Sequence, residues 1–324
     1  ESSSRPNIVL ILADDMGFSD LGGFGGEIRT PILDRLAENG LRFTHFHNGA
    51  RCCPSRASLL TGLYAHQTGV GDMMNDRGQP GYRGDLNDNC VTLAEVLRGA
   101  GYGTYACGKW HVTRFFHADG PKHNWPCQRG FDRFFGTING AGSYFEPQTL
   151  TLDNDPVADY GSDFYYTEAL ADHAVRFLRD HVDRGTDAPF FLYTAFTAPH
   201  WPLHAPDEAV AAAAGRFDAG WDRLREERYE RMLAMGLLDP RWALTPRDSR
   251  VPSWEEAADR EWQLRRMEVY AAQVEIMDRE IGKIVQELER QGALANTLLL
   301  FLSDNGGCSE ELNTQGWYDY ILRG

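Results

Sequence analysis

The stretch NIVLILADD, Asn7 to Asp15, is a continuous apolar run that ends in two aspartates. Strands that are apolar on both faces are typical of the centre of a parallel sheet, whereas strands with one solvated face alternate apolar and polar residues. The stretch therefore predicts a central strand that is covered on both faces and carries carboxylates at its carboxyl end.

Helical and strand patterns alternate along the rest of the chain. TPILDRLAENG predicts a helix with Thr30 as N-cap, Pro31 in the first turn and Gly40 as stop. Helix-then-strand units follow in VTLAEVLRGAGYGTYACG, in DFYYTEALADHAVRFLRDH with PFFLYTAF, and in a long helix from about Asp259 to Arg290 before TLLLFLS. These units predict an α/β fold with a largely parallel central sheet and helices on both faces.

Composition excludes several classes of protein. The chain has 324 residues, of which 42% are hydrophobic, and this suffices for one large domain or two ordinary ones. Its net charge of -15 argues against a nucleic-acid or anionic-membrane partner. The longest apolar runs have the length of buried strands, so we expect no membrane span. The 6 cysteines form no C-x-x-C pair; structural zinc is disfavoured and disulfide pairing stays open.

Polar residues follow four of the predicted strands. They are Asp14 and Asp15, then Lys109 and His111, then His200, and finally Asp304 and Asn305. Taken singly, each has an ordinary explanation, because an Asp pair can cap a loop, SDNGG is a good turn sequence and most histidines are simply hydrogen-bonded. Together they predict a site at the carboxyl edge of the sheet, where ligands of such folds bind.

The chemistry of these groups indicates one hard cation. Asp14, Asp15, Asp304 and Asn305 offer only oxygen ligands, which suit calcium or magnesium rather than zinc.

The stretch ARCCPSRASLLTG, Ala50 to Gly62, predicts a helix with Pro54 in its first turn and Gly62 at its end. Cys52 then lies just before the helix N-terminus, where backbone N–H groups favour an anion, and Arg56 adds a planar donor within one turn. The alternative is that the cysteine pair is simple core packing.

CCPSRASLLTG matches the C-x-P-S-R signature of the type I sulfatases, in the alkaline-phosphatase-like superfamily. ADD, GKWH, APHWPLHAP and SDNGG occur in the order that the family uses, so the chain resembles the family from Pro6 to about Gly307. The resemblance implies the alkaline-phosphatase-like fold and conversion of Cys52 to formylglycine, an aldehyde whose hydrate is the nucleophile. Cys53 occupies the variable position of the signature.

The resemblance also implies roles for the matching residues. Position 52 would bind calcium together with the four oxygen ligands named above. Arg56 would hold the hydrate, and Lys109 would bind sulfate. His200 would protonate the leaving oxygen, and His111 would remove the proton that regenerates the aldehyde. The substrate side of the cleft would comprise Lys109, His200, Trp201 and His204.

We expect residues 1–324 to form the N-terminal catalytic domain, with an irregular insertion or lid at about 215–258, for which a solvated helical excursion is the alternative. Members of this family usually continue to a second sulfate-binding lysine and a smaller C-terminal domain. The sequence reaches Gly324 without either, so we expect a truncated form.

These features predict a sulfatase that acts on a sulfated small molecule or carbohydrate, such as an aryl sulfate, after activation by a formylglycine-generating maturation enzyme. We expect a periplasmic or secreted location, from the family and from a first residue that is not Met. Two alternatives stay open: a phosphonate monoester hydrolase or phosphodiesterase of the same superfamily, and a non-catalytic, calcium-stabilised binding module. The individual ester, exo or endo action and the oligomeric state are not indicated.

Overall fold

The computed structural model describes residues 5–309. Seven strands form one sheet in the order β5-β4-β3-β2-β6-β1-β7. Their bounds are Asn7–Asp14 (β1), Gly103–Gly108 (β2), Arg133–Thr137 (β3), Leu150–Leu152 (β4), Asp155–Pro156 (β5), Phe190–Pro199 (β6) and Thr297–Ser303 (β7). The pairs β3-β2, β2-β6, β6-β1 and β1-β7 are parallel. The pairs β3-β4 and β4-β5, at one edge of the sheet, are antiparallel. The predicted largely parallel α/β sheet is confirmed.

Eight α-helices lie in the described part of the chain. They are Pro31–Glu38 (α1), Cys52–Thr61 (α2), Ala65–Thr68 (α3), Leu93–Gly99 (α4), Tyr166–Asp183 (α5), Asp207–Ala213 (α6), Gly220–Ala234 (α7) and Arg260–Arg290 (α8). Among the described helices, none combines the length and the apolar character needed to cross a membrane.

Thr30 is the N-cap residue of α1, as predicted, and its carbonyl accepts from the Asp34 N–H. Its hydroxyl accepts from the Gly22 N–H and donates to the Asp34 carboxylate, so the side chain itself does not cap the helix. The start of α2 differs from its sequence-based prediction. Helix α2 begins at Cys52 itself, because Arg51 is the extended N-cap and its carbonyl accepts from the Ser55 N–H. Cys52 is therefore the first residue of the helix and does not precede it.

The chain divides into two compact units. Among the described residues, the first contains 5–16, 47–202 and 282–309, and the second contains 17–46 and 203–281. The whole sheet belongs to the first unit. The predicted insertion or lid at 215–258 belongs to the second, where it holds α7 and then a stretch without regular secondary structure from 235 to 258. Its function as a lid stays a prediction.

Both faces of the central strands are buried. Leu10 and Leu12 of β1 share a core cluster with Ala57 and Leu60 of α2. On β2, which is separated from β1 by β6, Tyr105 contacts Phe177 of α5. Such burial stabilises by about 1.5–3 kcal/mol for each large apolar side chain.

Strand β7 differs from the central strand that its apolar sequence resembles. It lies at the sheet edge of the described chain, paired with β1, and Leu298 and Leu300 are 51% and 39% exposed.

Candidate active site

The polar side chains that follow β1, β2, β6 and β7 lie together at the carboxyl edge of the sheet, within the first unit. Lys109 Nζ is 2.6 Å from Asp14 Oδ2. His200 Nε2 is 3.4 Å from Asp15 Oδ2. The Asp15 N–H donates to Asp304 Oδ1 at 3.3 Å, which links the end of β1 to the end of β7. The parallel pairing of these strands produces this convergence.

Arg56 connects α2 to the strand ends. Its side chain is fully buried, Nε donates to Asp304 Oδ2 at 2.9 Å, and an Nη donates to the Lys109 carbonyl at 2.8 Å. The other Nη is 3.5 Å from Asp14 Oδ2. Burial works to lower the pKa of Arg56, but the charges of Asp304 and Asp14 outweigh it and raise the pKa, so the guanidinium stays charged.

Lys109 is held in the same way. Its ammonium is fully buried; burial opposes the charge, but the charges of Asp14, Cys52 and Asp304 together outweigh burial and raise the pKa of Lys109. Burial and the nearby charge of Asp14 raise the pKa of Asp304 to about 7. Two cations and two carboxylates thus form one buried network.

Cys52, Cys53 and His111 form a second group, with their ligand atoms within 4.8 Å of one another. Cys53 Sγ lies 3.2 Å from His111 Nε2. A hydrogen bond from Cys53, followed by the charge of Lys109, lowers the pKa of Cys52 despite burial. Burial lowers the pKa of His111, which favours the neutral imidazole.

Cys53 also lies at the site, although its variable position in the signature gives no indication of this. Gly140 is another such residue, because a Cβ there would lie 2.2 Å from the His111 ring. His111 itself has a φ of +56°, in the left-handed region. Such conformations persist only where the surroundings enforce them. Nothing in the sequence around Gly140 indicates that it packs against His111.

The acidic residues fit a hard cation. Asp14 Oδ1 and Asn305 Oδ1 are buried oxygens that have no hydrogen-bond partner in the described structure. The Asn305 side-chain amide donates to Asp15, and ligand atoms of Asp14, Asp15 and His200 lie within 4.8 Å of one another. Unpaired buried oxygens are costly unless an ion or a water satisfies them. His200 is not among the ligands that the sequence predicts.

Two residues of the predicted substrate side, His200 and Trp201, contact each other within the first unit. The His200 Nδ1–H donates to the Trp201 carbonyl at 2.5 Å, and the two rings are 4.7 Å apart. The Tyr144 hydroxyl lies 2.8 Å from the carbonyl of His200 and fixes the end of β6. His204 belongs to the second unit, and its contact with substrate stays a prediction.

Known proteins resemble this chain over most of its length. A family model described as Sulfatase matches residues 6–321. An uncharacterized sulfatase of Schizosaccharomyces pombe is 38% identical over 94% of this chain and 58% of its own length. An arylsulfatase of Klebsiella aerogenes is 35% identical over 93% of this chain and 66% of its own length.

Among solved structures, Ps i-CgsB in complex with k-i-k-neocarrahexaose superposes with a TM-score of 0.69 and 29% identity, over 94% of this chain and 59% of the other. The chain thus spans less than two thirds of the length of these relatives.

Proposed function

The chain belongs to the sulfatase family, and from this premise we propose that it hydrolyses a sulfate ester. The observation that carries the proposal is the position of Cys52 as the first residue of α2, beside a buried network that includes Arg56 and Lys109. The helix N-terminus and two permanently charged side chains together form an anion site in a protein of net charge -15.

Cys52 is the nucleophile precursor in this proposal. Pro54 and Arg56 follow it at the family spacing, which selects Cys52 over Cys53 for conversion to formylglycine. When hydrated, that aldehyde supplies an oxygen nucleophile with a second hydroxyl on the same carbon. The conversion requires a formylglycine-generating enzyme as a partner.

Asp14, Asp15, Asp304 and Asn305 would hold one calcium ion, and the two unpaired buried oxygens support this assignment. When bound, such an ion would supply positive charge to an oxygen of the sulfate group. A cation on Asp14 would compete with Lys109 for the same carboxylate and leave the lysine ammonium for the substrate sulfate.

The two histidines would move protons. His200 donates its Nδ1–H to a carbonyl, so Nε2 is the nitrogen that can pass a proton to the leaving oxygen. His111 is buried, and its lowered pKa favours the neutral form that accepts a proton next to position 52. Arg56 stays charged and would orient the oxygens on position 52.

The substrate class follows from the relatives. One relative is named an arylsulfatase, and one solved structure holds a neocarrahexaose. We therefore propose an aryl sulfate or a sulfated carbohydrate, with Trp201 and His204 as contacts, and a periplasmic or secreted location.

The test is hydrolysis of 4-nitrophenyl sulfate by the chain produced together with a formylglycine-generating enzyme. Mass spectrometry of the Cys52 peptide reports the conversion independently. Cys52→Ala should abolish turnover, and Cys53→Ala is the matched control at the neighbouring position. A converted chain that cleaves a phosphonate monoester but no sulfate ester would refute the proposal. A converted chain that binds sulfated ligands without turnover would instead indicate a binding module.

A further inference from the structure

Cys53 and Met73, which the proposed hydrolysis does not use, lie beside Cys52 and His111 and complete a cluster of soft metal ligands. The sulfur atoms of Cys52 and Cys53 and a ring nitrogen of His111 lie within 4.8 Å of one another. Cys53 Sγ is also 3.8 Å from Met73 Sδ. The two cysteines and the histidine are buried, and Met73 is partly buried.

The separations suit a single ion. Two sulfur ligands about 2.3 Å from a tetrahedral ion stand about 3.8 Å apart, and a sulfur and an imidazole nitrogen stand about 3.5 Å apart. Cys53 and Met73 have the first separation, and Cys53 and His111, at 3.2 Å, are close to the second. Both separations around Cys53 are thus compatible with ligands of one ion, and the sulfur of Cys52 lies within 4.8 Å of the ligand atoms of Cys53 and His111.

The ligand types and the local charge select the ion. Thiolates and a thioether favour Cu(I) over hard cations, and imidazole is compatible with it. Lys109 and Arg56 are buried cations whose charges act on the thiols, and they disfavour a dication more than a monocation. We propose that the chain with an unconverted cysteine at position 52 binds one Cu(I) ion through Cys52, Cys53, His111 and Met73.

One further observation supports the site. His111 Nδ1 is buried without a hydrogen-bond partner in the described structure, so this ring nitrogen is not committed to another protein group. Cysteine binds a metal ion as the thiolate, so Cys52 and Cys53 would release their protons when the ion binds. Formylglycine has no sulfur, so the converted chain would lose this site. Only this loss rests on the proposed function.

The test uses the full chain from a host without formylglycine-generating activity, with the thiol at position 52 verified by mass. Cys308→Ser forms the background, because an exposed thiol binds copper by itself. Anaerobic titration with Cu(I) against bicinchoninate should show one tightly held copper per chain. X-ray absorption should show sulfur ligands together with an imidazole nitrogen.

Variants locate the ion. Cys53→Ser should weaken Cu(I) binding about 100-fold, which is one ligand's share of the affinity of a four-ligand site. Met73→Leu preserves apolar volume, should leave the fold intact by circular dichroism, and should weaken Cu(I) binding while leaving Zn(II) binding unchanged. Cys127→Ser, a partly buried thiol elsewhere, is the matched control and should change nothing. Equal loss in the control, full affinity in Cys53→Ser, or tighter binding of Zn(II) than of Cu(I) would overturn the proposal.

Discussion

Replacement of Arg56 by methionine tests the buried charge network directly. Methionine keeps an unbranched apolar stem of similar reach but removes the guanidinium that bonds Asp304 and the Lys109 carbonyl. Two buried carboxylates, Asp14 and Asp304, would then share Lys109 as their nearest cation.

The structure sets the size of the effect. Removing one partner of a buried ion pair costs about 3–5 kcal/mol, because the remaining charge is left uncompensated. The pKa of Asp304 is already raised to about 7 with Arg56 in place, so its ionised form is only weakly favoured near neutral pH. An unfolding entropy of about 2.1 cal/mol/K per residue gives roughly 0.7 kcal/mol/K for 324 residues. The expected fall in Tm is therefore about 4–7 °C.

Differential scanning calorimetry at pH 8 in EGTA measures this fall without a cation to mask it. Arg241→Met is the matched control, because Arg241 pairs with Asp239 at the surface and its loss should leave Tm unchanged. The double variant Arg56→Met with Asp304→Asn should regain part of the loss, since the amide leaves no unpaired charge. A fall in Tm of less than about 1 °C, or no recovery in the double variant, would refute the reasoning.

Three further predictions concern stability. Arginine partners lower the pKa of Glu287 to about 2 from an ordinary 4.5. The contribution of Glu287 to folding stability is therefore complete above pH 4.5 and is lost as the pH falls toward 2. The urea midpoint of Glu287→Gln should depend less on pH in that range than the urea midpoint of the wild type. Burial raises the pKa of Asp278 to about 6 from 3.8, although two backbone N–H groups in the first turn of α1 bond to it. The wild type should therefore lose stability as the pH rises from 4 to 6, and a slope that persists in Asp278→Asn would contradict this. Gly108→Ala should lower the free energy of unfolding by more than about 4 kcal/mol, because φ is +112° and a Cβ would lie 1.9 Å from a backbone oxygen of β6. Gly99→Ala, at a helix position with open space around it, should instead raise the free energy of unfolding by about 0.5–1 kcal/mol in the same thermal unfolding assay.

Local patterns were sufficient to predict four of the seven strands, β1, β2, β6 and β7, whereas β3, β4 and β5 were not predicted from the sequence. The apolar run before Asp14 and Asp15 indicates a strand covered on both faces, and β1 is buried between β6 and β7. The spacing of CCPSR indicates a helix whose N-terminus carries Cys52, and only its first residue differed. Such features depend on neighbours in sequence, and the rule that ligands bind beyond the carboxyl ends of parallel strands needs no further geometry.

Partners distant in sequence required the tertiary structure. Nothing near Arg56 indicates that it bonds Asp304, 248 positions away, because the contact depends on how α2 packs beside the ends of β1 and β7. The grouping of Cys53 with His111 and Met73 likewise arises where α2 meets two separate loops. The sequence by itself therefore determined which residue types stand at each strand end, whereas the tertiary structure decided which charges compensate one another, because in a buried site that choice depends on distances of a few ångströms between separate elements.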